Sequence, residues 1–180
     1  GGAFSTEDVI RIEAQFNSTA GEREGFLRSV TDLVSSAQAS LDIAIYHVAN
    51  IEVIQALNKA CDSGVRVRVV TEPDSQIDKN ISSCIEIHFE ENERLMHHKF
   101  MVVDENIVWT SSANWTDTSF FVDTNNALVI KSEGVGEAYL AEFEEMFEHN
   151  RFGQSKRDLN RERFSTEGTE FSVYFSPSDR

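Results

Sequence analysis

The chain has 180 residues, enough for one domain with a full core and too few for two. Its 31 acidic and 16 basic residues leave a formal charge of −15, which repels polyanions at long range and counts against a broad basic nucleic-acid surface. Apolar content of 40% excludes a disordered chain, and no apolar run approaches the ~20 residues of a membrane helix.

The first expected element is a strand at 9–16, which alternates around Ile10, Ile12 and Phe16. Phe26, Val30, Leu33, Val34 and Ala37 recur at helical spacing and predict a helix over 22–39. A nearly continuous apolar strand at 41–48 suits a sheet covered on both faces. The helix expected at 51–63 carries Ile54, Leu57 and Cys61 on one side and stops at Gly64. With the next strand at 65–71 it forms a right-handed βαβ crossover, so these two strands are parallel. A polar loop follows at 72–82, then an alternating strand at 84–90. Cys61 and Cys84 lack metal-ligand spacing and are expected as two separate buried thiols rather than a disulfide. The five histidines form no ligand cluster, so neither metal nor cofactor is expected.

The segment from His97 to Asn114 reads as a hairpin. With Glu105 and Asn106 as a two-residue turn, Lys99 lies opposite Ser112 and His97 opposite Asn114. Side chains two apart share a face, so these four form one polar patch, a nucleophile or base beside a cation, a hydroxyl and an amide. That combination suits a phosphate. Asp104 has the opposite parity to His97 and is expected to tie down the turn.

After the hairpin comes a connection at 116–125 with Phe120 and Phe121, which are expected in the core rather than on substrate. A strand at 126–131 and a helix at 133–149 follow, the helix with Tyr139, Phe143, Met146 and Phe147 on one face. From Arg151 to Arg163 five basic residues (Arg151, Lys156, Arg157, Arg161, Arg163) face Asp158 and Glu162, which reads either as a solvated tail or as a backbone-binding strip.

The run His97-x-Lys99-x4-Asp104, followed by Ser111-Ser112-Ala113-Asn114, closely resembles the HKD motif of the phospholipase D superfamily and its trailing Gly-Ser-x-Asn element. The similarity extends from about Asp8 to Gly153, with Ser111 where the family usually has glycine. It implies an α/β fold, a mixed β-sheet flanked by helices on both faces (an α/β/α sandwich). It divides the chain into one HKD domain at 1–150, a basic or polar tail or linker at 151–168, and a strand at 169–180 resembling the start of a second repeat.

The resemblance also implies a metal-independent phosphodiesterase. His97 is the nucleophile that forms a phosphohistidine, Lys99, Ser112 and Asn114 hold phosphate oxygens, and Asp104 completes the catalytic motif. Many members place an acidic residue where this chain has Asn125, so Asn125 or Asp123 is the candidate that orients the histidine. One histidine cannot easily serve as nucleophile and acid in the same step, and His98 faces the other side of the strand, while His47, His88 and His149 read as surface or core residues. The second histidine is therefore expected from a second HKD-containing copy, through a homodimer or a C-terminal repeat. A nuclease-like activity leads over phospholipid headgroup hydrolysis or transfer, with a catalytically silent binding or assembly module as the third alternative. Gly1-Gly2-Ala3 shows neither a methionine nor a signal-peptide pattern, so processing is expected to have removed what preceded it. The protein is expected to be soluble, its compartment unreadable beyond a lean to secreted or periplasmic.

Overall fold

A computed structural model describes residues 10–75, 77, 80–90, 95–157, 162–166 and 169–177. Strands β1 (Arg11–Phe16), β2 (Ser40–Ile45), β3 (Arg66–Thr71), β4 (Glu86–Phe89), β5 (Lys99–Val103), β6 (Ile107–Ser111) and β7 (Asn126–Lys131) form one sheet, in the order β1-β7-β6-β5-β2-β3-β4. β2, β3 and β4 run parallel and the other pairings are antiparallel, so the sheet is mixed as expected. Helices α1 (Ala20–Ser36) and α2 (Ile51–Asp62) cover one face, and α4 (Glu133–Phe147) covers the other. This is the α/β/α sandwich that the resemblance implied.

Each helix begins where a side chain can satisfy its free N–H groups. Thr19 and Glu22 form a reciprocal capping box on α1, Asn50 caps α2, and Ser132 caps α4. Gly64, at φ 97°, lets the chain leave α2 and enter β3 in a conformation costly for other residues. β2 is buried at all six positions, which explains its unbroken apolar pattern. The exception within it is Asp42, fully buried, which accepts from Arg68 Nε at 2.6 Å and from Arg66 at 3.3 Å on the neighbouring strand.

Two expectations fail here. Cys61 and Cys84 are not separate thiols but a disulfide, with Cα atoms 6.1 Å apart. α2 lies beside the connection leading into β4, where Asn58 and Asp62 also bond Ser82, and a pairing across that contact has no signature in the spacing of two cysteines. The hairpin register is also one residue off: Phe100 faces Thr110 and Val103 faces Ile107. Asp104 and Glu105 both adopt positive φ, 47° and 63°, and the turn takes three residues instead of two. A slip of one exchanges the faces of a strand, so Ser112 does not stand opposite Lys99.

Beyond α4 the chain makes a short 3-10 turn at Gly153–Ser155 and then a separate two-stranded sheet, β8 (Glu162–Thr166) with β9 (Thr169–Val173). The described basic residues after α4 divide, Arg157 and Arg163 exposed and Arg151 and Lys156 engaged by acidic residues of α4. Arg151 pairs with Glu145 at 2.7 Å, Lys156 pairs with the buried Glu142, and Phe152 and Phe175 join the core on the α4 face. Arg161 lies outside the described residues.

Candidate functional site

One end of the sheet collects the polar residues of the motif. β2 leaves the sheet there toward Tyr46 and His47, β5 enters at Lys99 with His97 just before it, β6 leaves at Ser111, and β7 enters at Asn126. Ser112 and Asn114 thus lie past the end of β6, where strand parity no longer governs direction, and the wrong register does not keep them from this end. Two loops are stitched together to hold it. Trp115 N donates to the His47 carbonyl at 3.0 Å, and Ala49 N and Asn50 N both donate to the Trp115 carbonyl at 2.9 Å. Asn50 also donates to Asp117 at 2.7 Å, joining the start of α2 to that of the short helix α3 (Asp117–Phe121).

Lys99 is the most unusual charge in the protein. It is 8% exposed and, among the described residues, has no carboxylate partner. Its ammonium donates to the His97 carbonyl at 3.1 Å and lies 5.3 Å from the centre of the Tyr46 ring. Burial pushes its pKa down to about 8. A buried cation without a counter-ion is costly unless an anion arrives to complete it. His97 is exposed, and its ring stands edge-on to Tyr46 at 5.0 Å. Desolvation, then the neighbouring Lys99 and His98, holds its pKa below the ordinary value, which favours the neutral imidazole. Tyr46 therefore touches both motif residues, and its stacked neighbour His47, 4.2 Å away, is held by Asp74 at 2.8 Å. Sequence reasoning set His47 aside as surface or core. Nothing in its spacing signals the bond to Asp74, which follows from where the segments after β2 and β3 meet.

The remaining motif residues divide. Ser112 Oγ donates to Asn125 Oδ1 at 2.7 Å and accepts from Asn126 N at 3.2 Å, so its proton is already engaged. Asn114 Oδ1 is buried and, among the described residues, has no hydrogen-bond partner, an acceptor that a donor must reach by a local shift. Asn125 uses its amide on Ser112 and on the Ser119 carbonyl, 3.0 Å away, and thereby holds the Ser112 loop. Asp123 is exposed, its backbone N–H bonded to the Thr118 carbonyl. Asn17 was not singled out from sequence, yet it is fully buried and ties this end together. Its amide donates to the Ser119 and Phe120 carbonyls at 2.9 and 3.2 Å, while its Oδ1 accepts from Asn125 N. Of the phenylalanine pair, Phe120 is buried and Phe121 is 36% exposed.

Asp104 stands at the far end of the hairpin, five residues from Lys99 and so ~17 Å away at ~3.4 Å per residue. Its carboxylate accepts from Gln38 N at 2.9 Å, Ala39 N at 2.8 Å and Ser40 N at 2.9 Å. Burial raises its pKa, but these backbone donors outweigh it and the net shift is downward. It anchors the loop between α1 and β2, whereas strand parity had it tying down its own hairpin turn.

Residues 30–147 match the family described as "Cardiolipin synthase, PLD-like domain". The chain is 30% identical over 131 residues to a human mitochondrial cardiolipin hydrolase, covering 69% of this chain and 52% of that protein. To the Xenopus laevis protein of the same name it is 33% identical, over 68% and 61%. It therefore spans about half to three-fifths of the length of these relatives. Among solved structures it resembles a phospholipase D family member, Nuc, from Salmonella typhimurium, with a TM-score of 0.69 and 21% identity, covering 77% of this chain and 95% of that one. NucT from Helicobacter pylori gives a TM-score of 0.63 at 18% identity, covering 77% and 97%. At those identities the structural likeness speaks to the fold.

Proposed function

The chain belongs to the phospholipase D superfamily, and from that premise we propose that it is a metal-independent phosphodiesterase, nuclease-like, which works through a phosphohistidine on His97. The observation that carries this reading is the buried Lys99 ammonium, without a counter-ion among the described residues, directly behind a histidine held toward its neutral form. The first is a waiting anion site and the second a waiting nucleophile. In the first step a His97 nitrogen attacks phosphorus, the P–O bond to the leaving group breaks, and the departing oxygen takes a proton. In the second, water gives up a proton and its oxygen displaces His97 from phosphorus, which releases the phosphate monoester. Lys99 and the Asn114 amide serve the phosphate, while Ser112 is shared between that task and Asn125. Asp104 takes no direct part, despite its place in the motif.

The proton for the leaving oxygen comes from a second HKD motif, supplied by a second copy of the chain or by a further repeat, so that two half-sites make one centre. Activity then depends on assembly, and a dilute, demonstrably monomeric sample is expected to be inactive. A second reading, hydrolysis of a phospholipid headgroup, is favoured by the relatives' name, mitochondrial cardiolipin hydrolase. That name gives no support to the secreted or periplasmic lean, and among the described residues no helix is long and apolar enough to cross a membrane.

Single- and double-stranded DNA, RNA and vesicles of phosphatidylcholine or cardiolipin, each incubated in EDTA with the wild type and with His97→Ala, separate the readings. Nucleic-acid cleavage that persists in EDTA and vanishes in the variant is the expected result. Turnover confined to the vesicles supports the lipid reading, and no turnover by a confirmed dimer supports a silent module.

A further inference from the structure

Beside His97 and Lys99 stands a support that the hairpin motif does not contain. The segment Glu72-Pro73-Asp74-Ser75 follows directly on β3 and reaches both approaches to the site. Glu72 Oε1 accepts from Met96 N at 2.6 Å, one residue before His97. Asp74 Oδ1 meets His47 Nε2 at 2.8 Å, and Ser75 Oγ accepts from Val48 N at 3.1 Å. These attachments surround the Tyr46 ring, which is stacked on His47, edge-on to His97 and 5.3 Å from the Lys99 ammonium.

The fold holds Tyr46 by its backbone alone. Its N–H donates to the His98 carbonyl at 3.0 Å, and its carbonyl accepts from Thr71 Oγ1 at 3.2 Å. The half-buried ring is therefore free for another task. Burial strips water from the Lys99 ammonium, and among the described residues no carboxylate lies within ion-pair distance to replace it. The His97 carbonyl and the negative face of the Tyr46 ring take its place. An aromatic face suits an anion site better than a carboxylate, because it steadies the cation without neutralising it and leaves the charge for a phosphate. The edge-on contact also limits rotation of the exposed His97 ring. His47 and Asp74, with side chains 32% and 70% exposed, bury too little to be explained by stability, yet they fix the plane on which Tyr46 stacks.

We propose that Tyr46 is a positioning residue for the reaction, its ring holding the His97 imidazole and the Lys99 ammonium ready for a phosphate, and that the His47–Asp74 pair keeps that ring in place. The assignment rests on the phosphodiesterase reading for the roles of His97 and Lys99. The titratable groups that face this cluster are His97 and His98 on the segment of Lys99 itself, His47 and Asp74 around Tyr46, and Glu72 at Met96. Their charges must be told apart from the effect of the ring.

Titration of Lys99 and His97 in the free protein does so without relying on turnover. The full chain, labelled with ¹³C-lysine and ¹³C-histidine, is followed by NMR across pH as wild type, Tyr46→Leu, Tyr46→Phe, Asp74→Asn and the double variant Tyr46→Leu with Asp74→Asn. Lys99→Met and His97→Ala assign the resonances, and hydrolysis of bis(p-nitrophenyl) phosphate is measured on the same samples. Tyr46→Leu is expected to lower the Lys99 midpoint by about one pH unit and turnover about tenfold, while Tyr46→Phe, which keeps the ring, restores both. Asp74→Asn is expected to lower turnover about threefold, a loss that disappears in the Tyr46→Leu background, where a direct effect of the carboxylate's charge would persist. An unmoved Lys99 midpoint in Tyr46→Leu overturns the proposal, as does an Asp74→Asn loss that multiplies with that of Tyr46→Leu. Should Tyr46→Leu not fold, His47→Ala at its partly exposed position is expected to give a smaller shift in the same direction, and an unmoved midpoint there overturns the proposal equally. Wild-type protein that hydrolyses no phosphodiester while Lys99 responds as expected overturns the enzymatic reading and leaves the support of His97 and Lys99 by Tyr46 standing.

Discussion

The two ends of the β5–β6 hairpin make opposite use of polar groups. At the turn, the Asp104 carboxylate is met by three consecutive backbone N–H groups, from Gln38, Ala39 and Ser40. The turn is braced again from α4, where Ser132 N donates to the Asn106 carbonyl at 2.9 Å and Gly136 packs against Glu105. At the open end, among the described residues, Lys99 is buried without a counter-ion and Asn114 Oδ1 without a donor. Polar groups satisfied within the protein stabilise it, whereas those left incomplete cost stability and wait for a ligand. One motif thus spans both a structural anchor and a reactive end, and the spacing of its residues alone does not say which is which.

The contrast is sharpened most by Lys99→Met. Turnover is expected to fall 10²–10³-fold, the usual loss on removing one preorganised donor, while the melting temperature stays level or rises because a buried charge has gone. A large loss of stability would mean that Lys99 is an anchor like Asp104. The pH profile tests the same residue. His97 must be neutral, so activity rises through a pKa below its ordinary value; it falls again as the second motif's proton donor is deprotonated and, near pH 8, as Lys99 loses its charge.

Asp104→Ala is the converse change, expected to cost about 3 kcal/mol in denaturant unfolding while the activity of the folded fraction stays near wild type. The sign of its pH dependence follows from a lowered folded pKa. The contribution is complete above the unfolded value of ~3.9 and is lost as pH falls through the folded one, so the variant should show a weaker acid destabilisation than wild type. The smallest effect is that of Gly136→Ala. A Cβ there would sit 1.9 Å from the Glu105 carbonyl oxygen, and the forced shift should cost about 2 kcal/mol, read as a lower melting temperature without a change in pH profile.

Most of the sandwich was legible in the sequence because its elements bury continuous or periodic apolar faces, as the six buried positions of β2 and the stripe of α4 show. The polar site was legible because Ser112 and Asn114 follow His97 and Lys99 at an interval one hairpin spans. The register was not, since Asp104 and Glu105 take positive φ that neither residue type announces. Long-range partnerships were equally hidden. Cys61 with Cys84, Asn17 with Asn125 and His47 with Asp74 depend on where strands end and loops meet, which local pattern does not encode.

The central claim is that the open end of the hairpin carries a nucleophile on His97. Rapid acid-free quenching during turnover of a ³²P-labelled phosphodiester, followed by peptide mapping, tests it most directly. The account predicts an acid-labile, alkali-stable phosphoryl adduct on His97, absent from His97→Ala. Full turnover without any adduct, or an adduct on His98 instead, would contradict it.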